Sequence, residues 1–197
     1  MRFRSDRYNT KNSKHRCLKR IVLVFFIASI IGITVSQASN RSSITKLIFD
    51  NKLCLIPPKN DPFYLNAAVA DTTNSHKRGL KYRTNLSHRN AMLFLYSSNQ
   101  PETNAFWMQD TYIPLTVAFF NERGVINSIR TMRPCDAPFL GQCRHYKAGV
   151  IHHGALEVNQ GLLRQLDVTI GARIRQATGP KHAPCSVTEP IAFPDNH

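Results

Sequence analysis

The chain has 197 residues, 42% of them hydrophobic, and a formal net charge of +14. That length supports one core of ordinary size, and the absence of an internal repeat excludes a solenoid or array. The charge does not by itself mean nucleic acid, because residues 1–20 hold eight basic side chains against Asp6 alone, so half of it precedes residue 21.

Residues 21–35 (IVLVFFIASIIGITV) carry no charge and lead into Ser36-Gln37-Ala38. A positive segment, an apolar segment and a small-x-small site in that order form the pattern of a secretory signal peptide. Fifteen residues at about 1.5 Å each make roughly 22 Å of helix, short of the roughly 30 Å hydrocarbon core. Cleavage after Ala38 is therefore favoured over retention of residues 1–38 as an N-terminal membrane anchor. In either case the basic stretch stays cytoplasmic under the positive-inside rule, and the domain is delivered to the periplasmic or extracytoplasmic side. Membrane contact is then expected only through residues 21–35 if they are retained, and no nucleic-acid partner is expected.

Export changes how the cysteines read. Cys17 belongs to the basic segment, leaving Cys54, Cys135, Cys143 and Cys185, an even number for an oxidising compartment. Three pairings are possible. Cys135 and Cys143 bracket a short step containing Pro138 and Gly141, while Cys54 and Cys185 flank the periodic region, so the expected pairs are 135/143 and 54/185.

Residues 39–61 read as a leader with one apolar patch, KLIFD, and an extended linker at Pro57-Pro58. The compact region is expected over 62–175. Residues 63–69 (FYLNAAV) suit a strand, Asp71-Thr72-Thr73 offers caps for a short helix reaching about Tyr82, and residues 92–96 (MLFLY) have the length of a buried strand. Residues 115–132 read as a β-hairpin whose turn, Asn121-Glu122-Arg123-Gly124, ends in a glycine for the left-handed position. A strand is expected at 155–158, a helical turn capped by Asn159 and running through Leu166, and a last strand at 168–174 broken by Gly171. Residues 176–197, rich in proline, read as a disordered tail apart from a tether at Cys185. The fold class is mainly β (α+β): a compact β-barrel or sandwich of short strands with one or two short helices.

The succession RGLKYR (78–83), AMLF (91–94), FWMQDTYIPLTVAF (106–119), RGVINSI (123–129), ALEVNQG (155–161) and VTIGARI (168–174) resembles the domain of unknown function 192 family, in order and in approximate spacing. The resemblance implies a compact β domain of this size, often exported or membrane-anchored, with no established biochemical activity; a cysteine pair after the hairpin in relatives agrees with 135/143. The chain departs from the family pattern at Lys81, Ala91, Gln109-Asp110 and Thr116, where the family carries a methionine, a glycine, Lys-Asn and an acidic residue.

Phe106, Trp107 and Met108 supply apolar area, and most of it is expected in the core. Asp110 and Thr111 follow at once, a carboxylate and a hydroxyl at the rim of an aromatic cluster. Glu157 lies between Leu156 and Val158, so strand periodicity turns it away from both, to solvent or into a polar cavity. Arg83 could pair with it. Arg83, Trp107, Asp110, Thr111 and Glu157 are therefore the candidate binding residues, with a structural ion pair as the plainer alternative. Ser87-His88 and Ser75-His76 do not make a nucleophile with its base by adjacency. His145, His152 and His153 lie on extended stretches where neighbours point opposite ways, so neither a metal nor another cofactor is expected. These features favour non-catalytic binding of a small molecule or envelope component; the alternatives are a small extracytoplasmic hydrolase using Asp110 and Glu157, and a protein-interaction module.

Overall fold

The computed structural model describes residues 46–135 and 143–195. The N-terminal basic and apolar stretch, and with it the choice between cleaved signal and anchor, lies outside the described residues. In chain order the elements are β1 (Asn51–Ile56), β2 (Phe63–Ala70), α1 (Thr73–Arg78), β3 (Asn90–Gln100), β4 (Ala105–Trp107), β5 (Leu115–Phe120), β6 (Ile126–Met132), β7 (His145–Lys147), β8 (His152–Asn159), α2 (Leu162–Gln165), β9 (Arg173–Ala177) and β10 (Thr188–Glu189). No helix among them is long and apolar enough to cross a membrane.

Eight strands form one mixed sheet in the order β10-β9-β1-β2-β3-β8-β5-β6, and β4 pairs with β7 as a separate ribbon. The mainly-β class holds, but the sheet is not closed into a barrel. Near its ends the β5–β6 turn and the first residue of β6 touch the segment that enters β9, through an isolated bridge between Val125 and Arg173 and bonds from the Ile174 N–H to the Gly124 carbonyl at 2.8 Å, from the Ile126 N–H to the Ala172 carbonyl at 2.9 Å and from the Gly171 N–H to the Ile126 carbonyl at 2.8 Å. The Asn121 side-chain oxygen shapes that turn by accepting from the Arg123 and Val125 N–H groups, each at 3.0 Å. Gly124 (φ +73°) is required twice over, since an added Cβ would also run into the Ile174 carbonyl oxygen.

Among the described residues the only parallel strand pairing is β2 with β3, and it needs a crossover, which α1 supplies. Thr72 caps α1 reciprocally: its hydroxyl accepts from the Ser75 N–H and the Ser75 hydroxyl accepts from the Thr72 N–H. The helix stops at Gly79 (φ +46°), short of the expected Tyr82, because the chain turns there onto the sheet.

Other expectations are corrected. Residues 51–56, read as part of a linker, form a strand inside the sheet; Cys54 pairs with Tyr64 on one side and Arg175 on the other. The tail after residue 176 is not without structure: it forms β10 and buries Ile191 in the core. Asn159 caps nothing, its amide donating to the Leu86 carbonyl at 2.9 Å, and α2 is entered through Gly161 instead. The last strand begins at Arg173, after the turn that the read strand of 168–174 contained.

Disulfides join Cys54 to Cys185 and Cys135 to Cys143, the expected pairs. The first ties the tail to β1. Residues 136–142, inside the second loop, lie outside the described residues. Two such bonds fit an oxidising, extracytoplasmic environment.

Alternation along β3, β5 and β8 gives the sheet two covered faces. Leu93, Leu95, Ala118, Phe120, Leu156 and Val158 pack with Leu162 and Leu163 of α2. Met92, Phe94, Val117, Phe119 and Ala155 point the other way and are roofed largely by loop residues, among them Leu80, Leu86 and Met108, and by Tyr146 of β7.

Candidate functional site

The second face contains a carboxyl. Glu157 sits on β8 opposite Met92 of β3 and Val117 of β5, so its neighbours along the sheet are apolar. It is 5% exposed, and burial pushes its pKa up to about 8, leaving it mostly protonated at neutral pH. A protonated carboxyl both donates and accepts hydrogen bonds.

Glu157 lines a cleft of about 350 Å³ between α1 with its following loop and β4. That size lies within the usual range of small-ligand pockets, roughly 300–1,000 Å³. Phe94, Phe106 and Trp107 supply aromatic wall, while Tyr96, Gln100, Asn104 and Thr111 supply neutral polar groups. Burial raises the Tyr96 pKa to about 12, so its phenol remains protonated, and Asn104 hydrogen-bonds it. Phe106 packs edge-to-face on Phe94 and Phe119, at centroid distances of 4.9 and 5.4 Å, which fixes the β4 ribbon against the sheet. Because β4 alternates, Trp107 turns outward and remains 48% exposed at the mouth.

Lys77, Arg78 and Lys81 also line the cleft. α1, which carries two of them, is held to β3 by His76, whose Nε2 donates toward the Ala70 and Leu95 carbonyls at 3.0 and 2.9 Å and whose ring stacks on Tyr96 at 4.6 Å. Lys81 pairs with Asp110 at 3.5 Å and stands 5.5 Å from the Trp107 ring centroid. The loops carrying them are clasped by a backbone bond, Tyr82 N–H to Asp110 carbonyl at 2.6 Å. Both ends of that bond are non-glycine residues with positive φ, +64° and +59°. Such a conformation, costly for tyrosine, persists where the surroundings over-determine it.

Of the five residues expected to converge, Trp107, Thr111 and Glu157 line the cleft. Asp110 does not; its carboxylate pairs with Lys81 at 3.5 Å. Arg83 does not either, since its guanidinium lies 5.1 Å from the Phe49 ring centroid. Tyr96, Gln100 and Asn104 went unnoticed in the sequence, whereas Lys77, Arg78 and Lys81 stand out there as a basic spread suited to an acidic surface. Tyr96 ends the apolar run MLFLY, and its polar tip was the available signal.

The three histidines make different contacts. His145 meets Trp107 edge-on at 5.8 Å, and His153 packs on Phe193 with its Nδ1 3.1 Å from the Asn99 side-chain oxygen. His152 is fully buried against Phe119; its Nδ1 donates to the Val150 carbonyl at 3.1 Å, burial lowers its pKa, and its Nε2 has no partner among the described residues. No cluster of three potential metal ligands occurs among the described residues.

Two solved structures are similar to the fold. One, from Sinorhizobium meliloti 1021 and described as a "putative transcription regulator", is 23% identical, with a TM-score of 0.57 over 64% of this chain and 92% of that one. The other, a protein of unknown function from Novosphingobium aromaticivorans DSM 12444, is also 23% identical, with a TM-score of 0.53 over 62% of this chain and 82% of that one. Identity at this level shows the fold alone. No curated protein is significantly similar in sequence to this chain. The family model of DUF192, described as an uncharacterized ACR, matches residues 57–176, a span that runs from just before β2 into β9 and takes in the whole cleft. The chain belongs to the DUF192 family.

Proposed function

We propose that the domain binds a small polar molecule in the cleft over Glu157, without catalysis, on the extracytoplasmic side of a membrane. The observation that carries this reading is the buried carboxyl itself. An ionisable group among apolar neighbours costs stability unless a partner satisfies it, and here it faces a cavity large enough to admit one. The neutral donors and acceptors of Tyr96, Gln100, Asn104 and Thr111 surround the same space. The basic and apolar pattern of residues 1–38 and the two disulfides support delivery across a membrane.

The test is native mass spectrometry of the protein purified from the envelope fraction of its host, beside Glu157→Leu, Thr111→Val and Arg83→Ala. A bound species is expected in the parent and in Arg83→Ala, which changes a residue outside the cleft, and is expected to be lost in the other two. A species retained in Glu157→Leu, or a bare mass in every sample, would overturn the reading. The same spectra report whether residues 1–38 have been removed and whether both disulfides are closed.

A further inference from the structure

We propose that the molecule taken by this cleft is an anionic saccharide, its ring laid against Trp107 and its acidic group turned to the Lys77 and Lys81 side of the mouth; this rests on the reading of the cleft as a ligand site. Charge decides first. The cleft is lined by Lys77, Arg78 and Lys81 against one acidic residue, Glu157, and Asp110 offsets Lys81 only from outside the lining. Aromatic walls with a carboxyl at the floor would suit an alkylammonium ligand if that carboxyl were ionised. With the floor protonated and the rim basic, a cation meets repulsion at entry, whereas a carboxylate or phosphate meets charge-assisted donors.

The shape of the rest follows from the neutral lining. A simple anion would use the rim and leave Gln100, Asn104, Thr111 and the Glu157 carboxyl unengaged. A pyranose carries hydroxyls that both donate and accept, which matches amide, hydroxyl and protonated carboxyl groups in kind. Its C–H face is apolar and flat, which matches an indole held half-exposed at the mouth rather than packed away. The clasp between Tyr82 and Asp110 holds the loops that carry Trp107 and Lys81 in fixed relation, so the stacking face and the cation are presented together.

Trp107 is the only tryptophan of the chain, so intrinsic tryptophan fluorescence reports on the mouth directly. The intact, disulfide-bonded protein would be titrated with digalacturonate, galactobiose, glucose 6-phosphate, acetate and tetramethylammonium, with calorimetry for affinity. Expected is a fluorescence change with digalacturonate or glucose 6-phosphate, at least tenfold tighter binding than galactobiose, and loss of that preference in Lys77→Ala/Lys81→Ala. The carboxylate and phosphate arms separate the two sources of the acidic group. Equal binding of galactobiose would overturn the anionic requirement, and binding of acetate or tetramethylammonium as tightly as the sugars would overturn the saccharide. If no sugar binds while native spectra still show a species lost in Glu157→Leu, the saccharide falls and the ligand site stands. If neither is seen, both fall.

Discussion

The same three strands, β3, β5 and β8, build two unlike faces. On one, Leu93, Ala118, Phe120, Leu156 and Val158 meet α2 and the returning tail, and apolar side chains fill the space. On the other, Met92, Phe94, Val117 and Phe119 share the strands with Glu157, and the cover is made of loops and a two-stranded ribbon. Helix α2 and the tail close the first face with Leu162, Leu163 and Ile191. Loops leave gaps and can carry polar groups, so the second face holds a cleft. The closed core and the cleft are thereby placed on opposite sides of one sheet, one residue apart in sequence.

That separation breaks most plainly at Leu156, which is fully buried on the closed face beside Glu157. Leu156→Ala is expected to cost about 2–5 kcal/mol by denaturant unfolding, with the folded fraction retaining its ligand at parental affinity. A matching loss of affinity in the folded fraction would show that the faces are coupled and that the comparison fails.

Glu157→Gln sharpens it from the other side. The folded pKa of about 8 lies above the ordinary value of 4.5, so the native state holds a proton that the unfolded chain has lost. The carboxyl therefore costs nothing below about pH 4.5, an increasing amount as pH rises toward 8, and a constant amount beyond. At pH 7 the cost is about 3 kcal/mol, from roughly 1.4 kcal/mol for each unit between 4.5 and 7. Glu157→Gln, of the same shape but without the titration, is expected to stabilise the ligand-free protein at neutral pH by about 1–3 kcal/mol and to show no advantage below pH 4.5. His152 acts oppositely: its lowered pKa makes stability fall as pH drops below its ordinary value near 6.5, so the experiment compares variant with parent at each pH. A parallel stability profile for the two proteins between pH 5 and 8 would mean that Glu157 has a compensating partner in the native state.

The closed face was harder to read in the sequence than its simplicity suggests. Strand β1 is buried at Leu53, Cys54 and Leu55 in succession, so it lacks the alternation that marks β2, and the Pro57-Pro58 that follows it resembles punctuation. Its partners lie far along the chain, as does the cysteine that holds the tail over it. The hairpin, by contrast, was legible because Asn121 and Gly124 set its turn locally. On the open face Glu157 could be found from period-two alternation alone, because a charged residue between Leu156 and Val158 must face away from both. The rest of the cleft depends on long-range placement: Tyr96, Asn104 and Lys81 come from three separate segments. Arg83 and Asp110 fall outside the cleft's lining, next to or at positions of positive φ, Tyr82 and Asp110, which periodicity does not register.

Those two loops give the smallest expected effect and the finest separation. Lys81 and Asp110 are partly exposed, 22% and 28% at the side chain, so their ion pair contributes on the order of 0–1 kcal/mol after solvent screening. Asp110→Asn removes the charge while keeping a residue that tolerates φ near +59°, and the backbone bond from Tyr82 remains available. Stability is expected to change by less than about 1 kcal/mol. Releasing Lys81 from its counter-charge is expected to strengthen anion binding modestly, with a fluorescence response from Trp107 and greater sensitivity to salt. Asp110→Val places a β-branched side chain in the left-handed region and is expected to destabilise by more than the charge change does. Equal losses in the two variants would assign the role of Asp110 to its carboxylate. A loss confined to Asp110→Val would assign it to the backbone clasp, and the mouth of the cleft would then be shaped by conformation rather than by charge.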